Sequence, residues 1–113
     1  MIYMLMICYD PSAPPDGENR QPEHAKLEAE MREHGVYVSG AGLWPLEAGG
    51  KVVRHDGGEA VVLDGPFAEM KEAVGGYFMV DCDEAEALAY AKRISVGPRG
   101  WVQVRQVALW HPL

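Results

Sequence analysis

Apolar residues run unbroken from Ile2 to Tyr9 (IYMLMICY). A strand without polar alternation expects burial on both faces of its sheet. In a small α+β domain the helices cover one face. The pattern therefore predicts that a second copy of the chain covers the other, as a homodimer. The polar, proline-rich stretch Asp10 to Pro22 predicts a loop, either a plain connector or a binding loop. Pro22 to His34 predicts a helix, with proline in its first turn, Glu23 at its positive end and Gly35 to stop it. His24, Leu27 and Met31 fall at i, i+3 and i+7 and share one side of that helix.

Val36 to Trp44 (VYVSGAGLW) predicts a strand punctuated by Gly40 and Gly42. Glycine inside a strand marks a bulge, or the close approach of another backbone or a ligand. Lys51 to Arg54 and Glu59 to Leu63 predict two short strands, with Asp56-Gly57 between them as a hairpin signal. The stretch from Val61 to Val80 enters as a strand and breaks at Asp64-Gly65-Pro66. About two turns of helix-compatible sequence follow, with Asp64 able to cap them and Gly75-Gly76 to end them. It leaves as a third main strand, Tyr77 to Asp81. Asp83 with Glu86 three residues on is a capping box, and it opens a second helix with the stripe Ala87, Leu88, Ala91 and Ile94. Trp101 to Trp110 predicts the last strand, in which Val102 and Val104 alternate with Gln103 and Arg105, as where one face is wet.

This order is a βαββαβ frame with an extra hairpin: a ferredoxin-like α+β sandwich on an antiparallel sheet. In that topology the first strand lies between the third main strand and the last. Cys8 and Cys82 then sit at opposite ends of the sheet, beyond the roughly 7 Å between Cα atoms that a disulfide allows. One sheet edge collects Tyr9, Asp10, the start of the first helix with His24, and Gly75, Gly76 and Tyr77. The short helix after Asp64 brings Glu69 and Lys71 toward the same edge. Gly40, Gly42, Asp10, Glu69, Lys71 and Tyr77 are the candidate ligand-binding residues. His24 has two readings. One is a half-buried histidine held by a backbone carbonyl. The other is a proton-transfer group at the mouth of a cleft, oriented by a carboxylate such as Asp64.

A chain of 113 residues fits one domain over residues 1–113, burying roughly 65% of its extended-chain surface. The net charge is −7, and the ten Lys and Arg form no basic stripe, which argues against nucleic-acid and anionic-membrane partners. No apolar run approaches the roughly 20 residues of a membrane span. Met1 to Cys8 lacks the flanks of a signal peptide. Two cysteines without ligand spacing suggest free thiols and a cytoplasmic setting. His24, His34, His55 and His111 lack metal-ligand spacing, so neither a metal nor a cofactor is expected.

Asp64-Gly65-Pro66-Phe67-Ala68-Glu69, then Lys71-Glu72 and Gly75-Gly76-Tyr77, resembles the signature of the DGPF branch of the YCII-related proteins. The likeness extends to Tyr3-Met4-Leu5, Gly40-Ala41-Gly42-Leu43, the helix from Glu86 to Ile94, and Gly100 to Arg105. It implies a ferredoxin-like domain that pairs into a dimeric α/β barrel. It also implies a histidine–aspartate site in a cleft, with His24 at the position that matches the histidine and Asp64 as the best candidate for the carboxylate. The departures from the family pattern are Met70 for threonine, Ser95 and Gln106 for proline, and Gln103 for glutamate. The last removes a carboxylate from the final strand. Association of many DGPF members with extracytoplasmic-function sigma factors implies a regulatory alternative. Three functions are thus weighed: a cofactor-free acid–base enzyme of lyase, isomerase or hydrolase type acting on an unidentified small molecule; a non-catalytic ligand-binding or regulatory module, with a sigma factor as one partner; and, last, a metal-dependent dioxygenase. Fold analogy chooses none of them.

Overall fold

A computed structural model describes residues 1–64 and 70–112. The elements in order are β1 (Ile2–Tyr9), α1 (Gln21–Glu33), β2 (Tyr37–Gly42), a 3₁₀ turn (Leu46–Ala48), β3 (Lys51–Asp56), β4 (Glu59–Asp64), β5 (Ala73–Asp81), α2 (Glu84–Arg93) and β6 (Gly100–Gln106). Four strands form one sheet in the order β2-β5-β1-β6, every pair antiparallel. β3 and β4 form a separate two-stranded hairpin. This is the ferredoxin-like arrangement that the element order predicts, with the hairpin inserted between β2 and β5.

Both helices pack on one face of the sheet. Leu27 and Met31 of α1, and Ala87 and Tyr90 of α2, close over Tyr3, Leu5, Phe78 and Val80. Leu5, Met31 and Val80 are fully buried; covering one such aliphatic side chain is worth about 1.5–3 kcal/mol before entropy is counted. β1 therefore alternates from Ile2 to Met6: Tyr3 and Leu5 face the helices, while Met4 and Met6 are half-buried on the opposite face; beyond Met6 the alternation breaks, with Ile7 half-buried and Cys8 buried. That second face also carries Met79, the register partner of Met4, and Trp101, the partner of Cys8. On β6 the alternation reads as expected, with Val102 and Val104 against the core and Gln103 turned away from it to bond Glu72 at 2.8 Å.

Local signals explain the ends. Gly35, at φ 70°, terminates α1 in the left-handed conformation that suits glycine. The Asp83 carboxylate accepts from the Glu86 N–H at 2.8 Å and starts α2. The hairpin tip is the two-residue loop Gly57-Gly58, both at positive φ, as a turn matched to strand twist requires.

Three expectations need correction. The residues from Gly65 to Glu69, where the short helix was to begin, lie outside the described residues. The strand that follows nonetheless starts at Ala73, not Tyr77. Gly75 and Gly76 therefore lie within β5, Gly76 paired with Ile7 and Gly42, and do not end a helix. Ala73 and Val74 have register partners in Tyr9 and Cys8, which draws the strand back past the glycines. β6 stops at Gln106 and not Trp110, because β1 supplies no partner beyond Ile2, whose carbonyl takes the last N–H from Val107. On α2 the buried stripe uses Tyr90, while Leu88 stands one position round the helix and is exposed.

Candidate functional site

Two recesses meet at His24. One, of about 340 Å³, lies between α1 and the β2–β5 edge, where Gly40, Gly42, Gly76 and Tyr77 form its floor. The other, of about 370 Å³, lies between the loop before α1 and the turn after α2, and includes Tyr9, Arg20, Gly97 and Arg99. Ile7 and His24 belong to both. The helical spacing that aligns His24 with Leu27 and Met31 places the imidazole at the partition, since those two anchor the same side of α1 in the core.

The His24 ring is fixed from two sides. Its Nε2 lies 2.8 Å from the carbonyl oxygen of Ser95. A carbonyl can only accept, so Nε2 carries the proton and the neutral ring keeps its lone pair on Nδ1. Phe78 meets the ring edge-on at a centroid distance of 6.2 Å. A backbone carbonyl holding one nitrogen is the bland reading of His24. It is also how a base is held in one tautomer with the other nitrogen available.

Two glycines of the first recess, Gly76 and Gly40, are there for space; Gly42 and Gly75 have room for a side chain. A Cβ on Gly76 would come within 2.6 Å of the Ala41 carbonyl oxygen, and one on Gly40 within 2.9 Å of the Tyr37 hydroxyl. β2 also shifts register between Tyr37 and Ser39, before either glycine, and Gly40 and Gly42 themselves stay in register with Phe78 and Gly76, so at Gly40 it is the close approach that the structure shows. The Tyr77 hydroxyl lies 3.0 Å from the Ser39 hydroxyl.

The candidates divide as follows. His24, Gly40 and Gly42 come together on the first recess. Tyr77 borders it as well, but as the register partner of Met6 it turns its side chain to the opposite face of the sheet, beside Ser39. Asp10 forms a turn instead: its carboxylate accepts from the Ser12 hydroxyl at 2.6 Å and the Ser12 N–H at 2.9 Å. Those bonds, with a smaller contribution from the charge of Arg99, hold the Asp10 carboxyl below its ordinary range. Asp64 ends β4, bonds the Lys51 ammonium and is 72% exposed; it lines neither recess. Lys71 sits in an exposed bend, and Glu69 lies outside the described residues.

Among the described residues, three carboxylates do share a recess with His24: Glu28 in the first, and Asp16, which is paired with Arg20, and Glu18 in the second. Glu28 is the one on the helix of His24 itself. It stands four residues further along α1, and that i, i+4 spacing was the signal available in the sequence. Glu28 also takes the Arg32 Nε–H at 3.2 Å. Arg32 in turn stacks 4.3 Å above the Tyr37 ring. Burial first, and the Glu28 charge second, push the Tyr37 phenol above its usual value. Cys8 is buried at the far end of β1, and burial followed by the neighbouring Glu72 raises its thiol. Its register partners, Val74 and Trp101, and the position of Cys82 beside Met1 keep the two free cysteines at opposite ends of the sheet. Among the described residues, no group of three or more His, Cys, Asp or Glu is arranged to hold a metal ion, and no helix is long and apolar enough to cross a membrane.

The profile of the YCII-related domain matches residues 1–111. The chain is also similar to an uncharacterised protein of Rhizobium meliloti (strain 1021), 30% identical over 120 aligned positions that cover 99% of this chain and 96% of that one.

Proposed function

From the premise that this chain belongs to the YCII-related domain family, we propose that it binds a small molecule in the recesses around His24 and uses that imidazole to move a proton. The chemistry would be of lyase, isomerase or hydrolase type and would need no cofactor. The observation that carries the reading is the tether from Nε2 of His24, which both recesses share, to the carbonyl of Ser95 in the second. It fixes the ring and leaves Nδ1 as the basic atom. Glu28 has the geometric claim to the partner carboxylate; the claim of Asp64 rests on the Asp64–Glu69 motif. That motif also supports placement in the DGPF branch.

The second sheet face and the hairpin support a homodimer. Val53 and Val62 oppose one another across the hairpin and are 61% and 60% exposed. Neither hairpin strand pairs with the main sheet, and a lone two-stranded ribbon is marginal in water. A twin subunit, presenting the same surface, is the partner we assign to the hairpin and to Met4 and Met6; a clean monomer at micromolar concentration in analytical ultracentrifugation would refute that. The same exposed valines support the regulatory alternative, a sigma-factor or other protein partner in the cytoplasm.

The enzymatic reading is tested by screening a fragment library by NMR and following the hits for turnover. Fragments that bind should shift the His24 ring signals. His24→Gln should keep the fold and lose about 10²–10⁴-fold in turnover, the usual worth of a general acid–base group. Hits converted at the wild-type rate by His24→Gln would end the reading.

A further inference from the structure

The second recess contains a cation that the proton-transfer reading leaves without a task. Arg99 lies with its guanidinium carbon 4.4 Å above the ring of Tyr9, and its Nη1 donates to the Ala13 carbonyl at 3.0 Å. The Tyr9 hydroxyl accepts from the Leu46 N–H at 3.2 Å, which fixes the ring beneath it. Among the described residues, no carboxylate forms an ion pair with Arg99. The other arginine of this recess, Arg20, differs. It grips Asp16 through both terminal nitrogens, and the pair rests on Gly97, where a Cβ would come within 3.1 Å of the Asp16 carboxylate. Arg20 is therefore neutralised in place. Arg99 is held and half-buried, with its guanidinium in no ion pair among the described residues; the carboxylate its charge acts on, Asp10, is bonded to Ser12 instead.

A planar guanidinium stacked on an aromatic ring presents its remaining N–H groups in a rigid fork, the geometry that receives a carboxylate. The surrounding apolar surface of Ile7, Pro45, Val96 and Pro98 suits a compact carbon skeleton, and His24 bounds the same space. Glu18 on the loop side of the recess opposes a second negative charge. We propose that this recess takes small monocarboxylic acids, with Arg99 anchoring the carboxylate and the carbon skeleton lying toward His24. The assignment rests on the reading of His24 only for what happens to the bound acid, not for its binding.

Benzoate is a suitable probe, because it is inert and its binding reports the anchor alone; turnover reports His24 separately, so each reading can fail without the other. In calorimetric or NMR titrations the wild-type protein should bind benzoate at least about tenfold more tightly than neutral benzamide, the worth of a charge-assisted hydrogen bond. Added salt should weaken benzoate and spare benzamide. Arg99→Met keeps an apolar stem on Tyr9 and should bring benzoate down to the level of benzamide. Arg99→Lys, which keeps the charge and loses the fork, should fall between. Inorganic phosphate should compete poorly. Equal binding of benzoate and benzamide, no binding of either, wild-type benzoate affinity in Arg99→Met with the fold intact by circular dichroism, or displacement of benzoate by equimolar phosphate would each overturn the assignment.

Discussion

Replacing Gly76 by alanine should separate two strands that replacing its neighbour leaves together. Gly76 sits in β5 between Ile7 of β1 and Gly42 of β2. Its new methyl group would stand 2.6 Å from the Ala41 carbonyl oxygen and 3.2 Å from the Gly42 Cα, both backbone atoms of β2. No rotamer change relieves such a contact, so the edge strand must move and its ladder bonds to β5 must stretch. Overpacking of this kind costs about 1–3 kcal/mol. For a domain of this size that corresponds to a fall in Tm of roughly 4–12 °C. Gly75 is the control. A methyl group there would first meet the Tyr9 ring at 3.5 Å, an ordinary contact, and the alanine would restrict the unfolded chain, so its effect should stay within about 1 kcal/mol in either direction. Thermal and urea unfolding of the two variants decide the matter. Because Gly76 and Gly42 also floor the first recess, Gly76→Ala should weaken any fragment found there. A Gly76→Ala protein that melts with the wild type, or a Gly75→Ala protein that loses as much as Gly76→Ala, would refute the close-approach argument.

Asp83→Ala removes the oxygen that accepts from the Glu86 N–H and should cost about 0.5–2 kcal/mol in urea unfolding, while Asp83→Asn should recover most of it. The loop before α1 should loosen in acid. Hydrogen bonding to Arg20 chiefly holds the Asp16 carboxyl at about 2, down from an ordinary 3.8. A carboxyl lowered by folding stabilises in full above its unfolded pKa and loses that stabilisation as pH falls toward the folded one. Amide exchange across residues 16–20 should therefore lose protection between about pH 4 and pH 2, and Asp16→Asn should remove most of that dependence, leaving the part that Asp10 contributes at residues 10–13; an unchanged pH profile at residues 16–20 in Asp16→Asn would count against the ion pair.

The sequence alone was enough for the frame. Period and punctuation are local physics: the unbroken β1, the Gly35 stop, the Asp83 cap and the Asp-Gly-Gly hairpin tip each act within a few residues, and each stands where the pattern puts it. The i, i+3, i+7 row of α1 went further and set His24 on the core side at the edge of a recess. What the tertiary structure decided was every pairing between distant residues. Asp64 and His24 share an inferred edge in sequence, yet the register of β3 with β4 gives Asp64 to Lys51. The carboxylates that reach a recess with His24 are Glu28, on its own helix, and Asp16 and Glu18, on the loop before it. Gly75 and Gly76 look like a helix stop from their neighbours. They became strand because β1 and β2 offer backbone partners on both sides and leave room for no side chain at Gly76. Arg99 and Tyr9 lie ninety residues apart in sequence, and only the pairing of Tyr9 with Gly100 stacks them. A chain can announce its own turns because their energies are contained within them. Which charge meets which depends on strand register, and register is settled by the whole sheet at once.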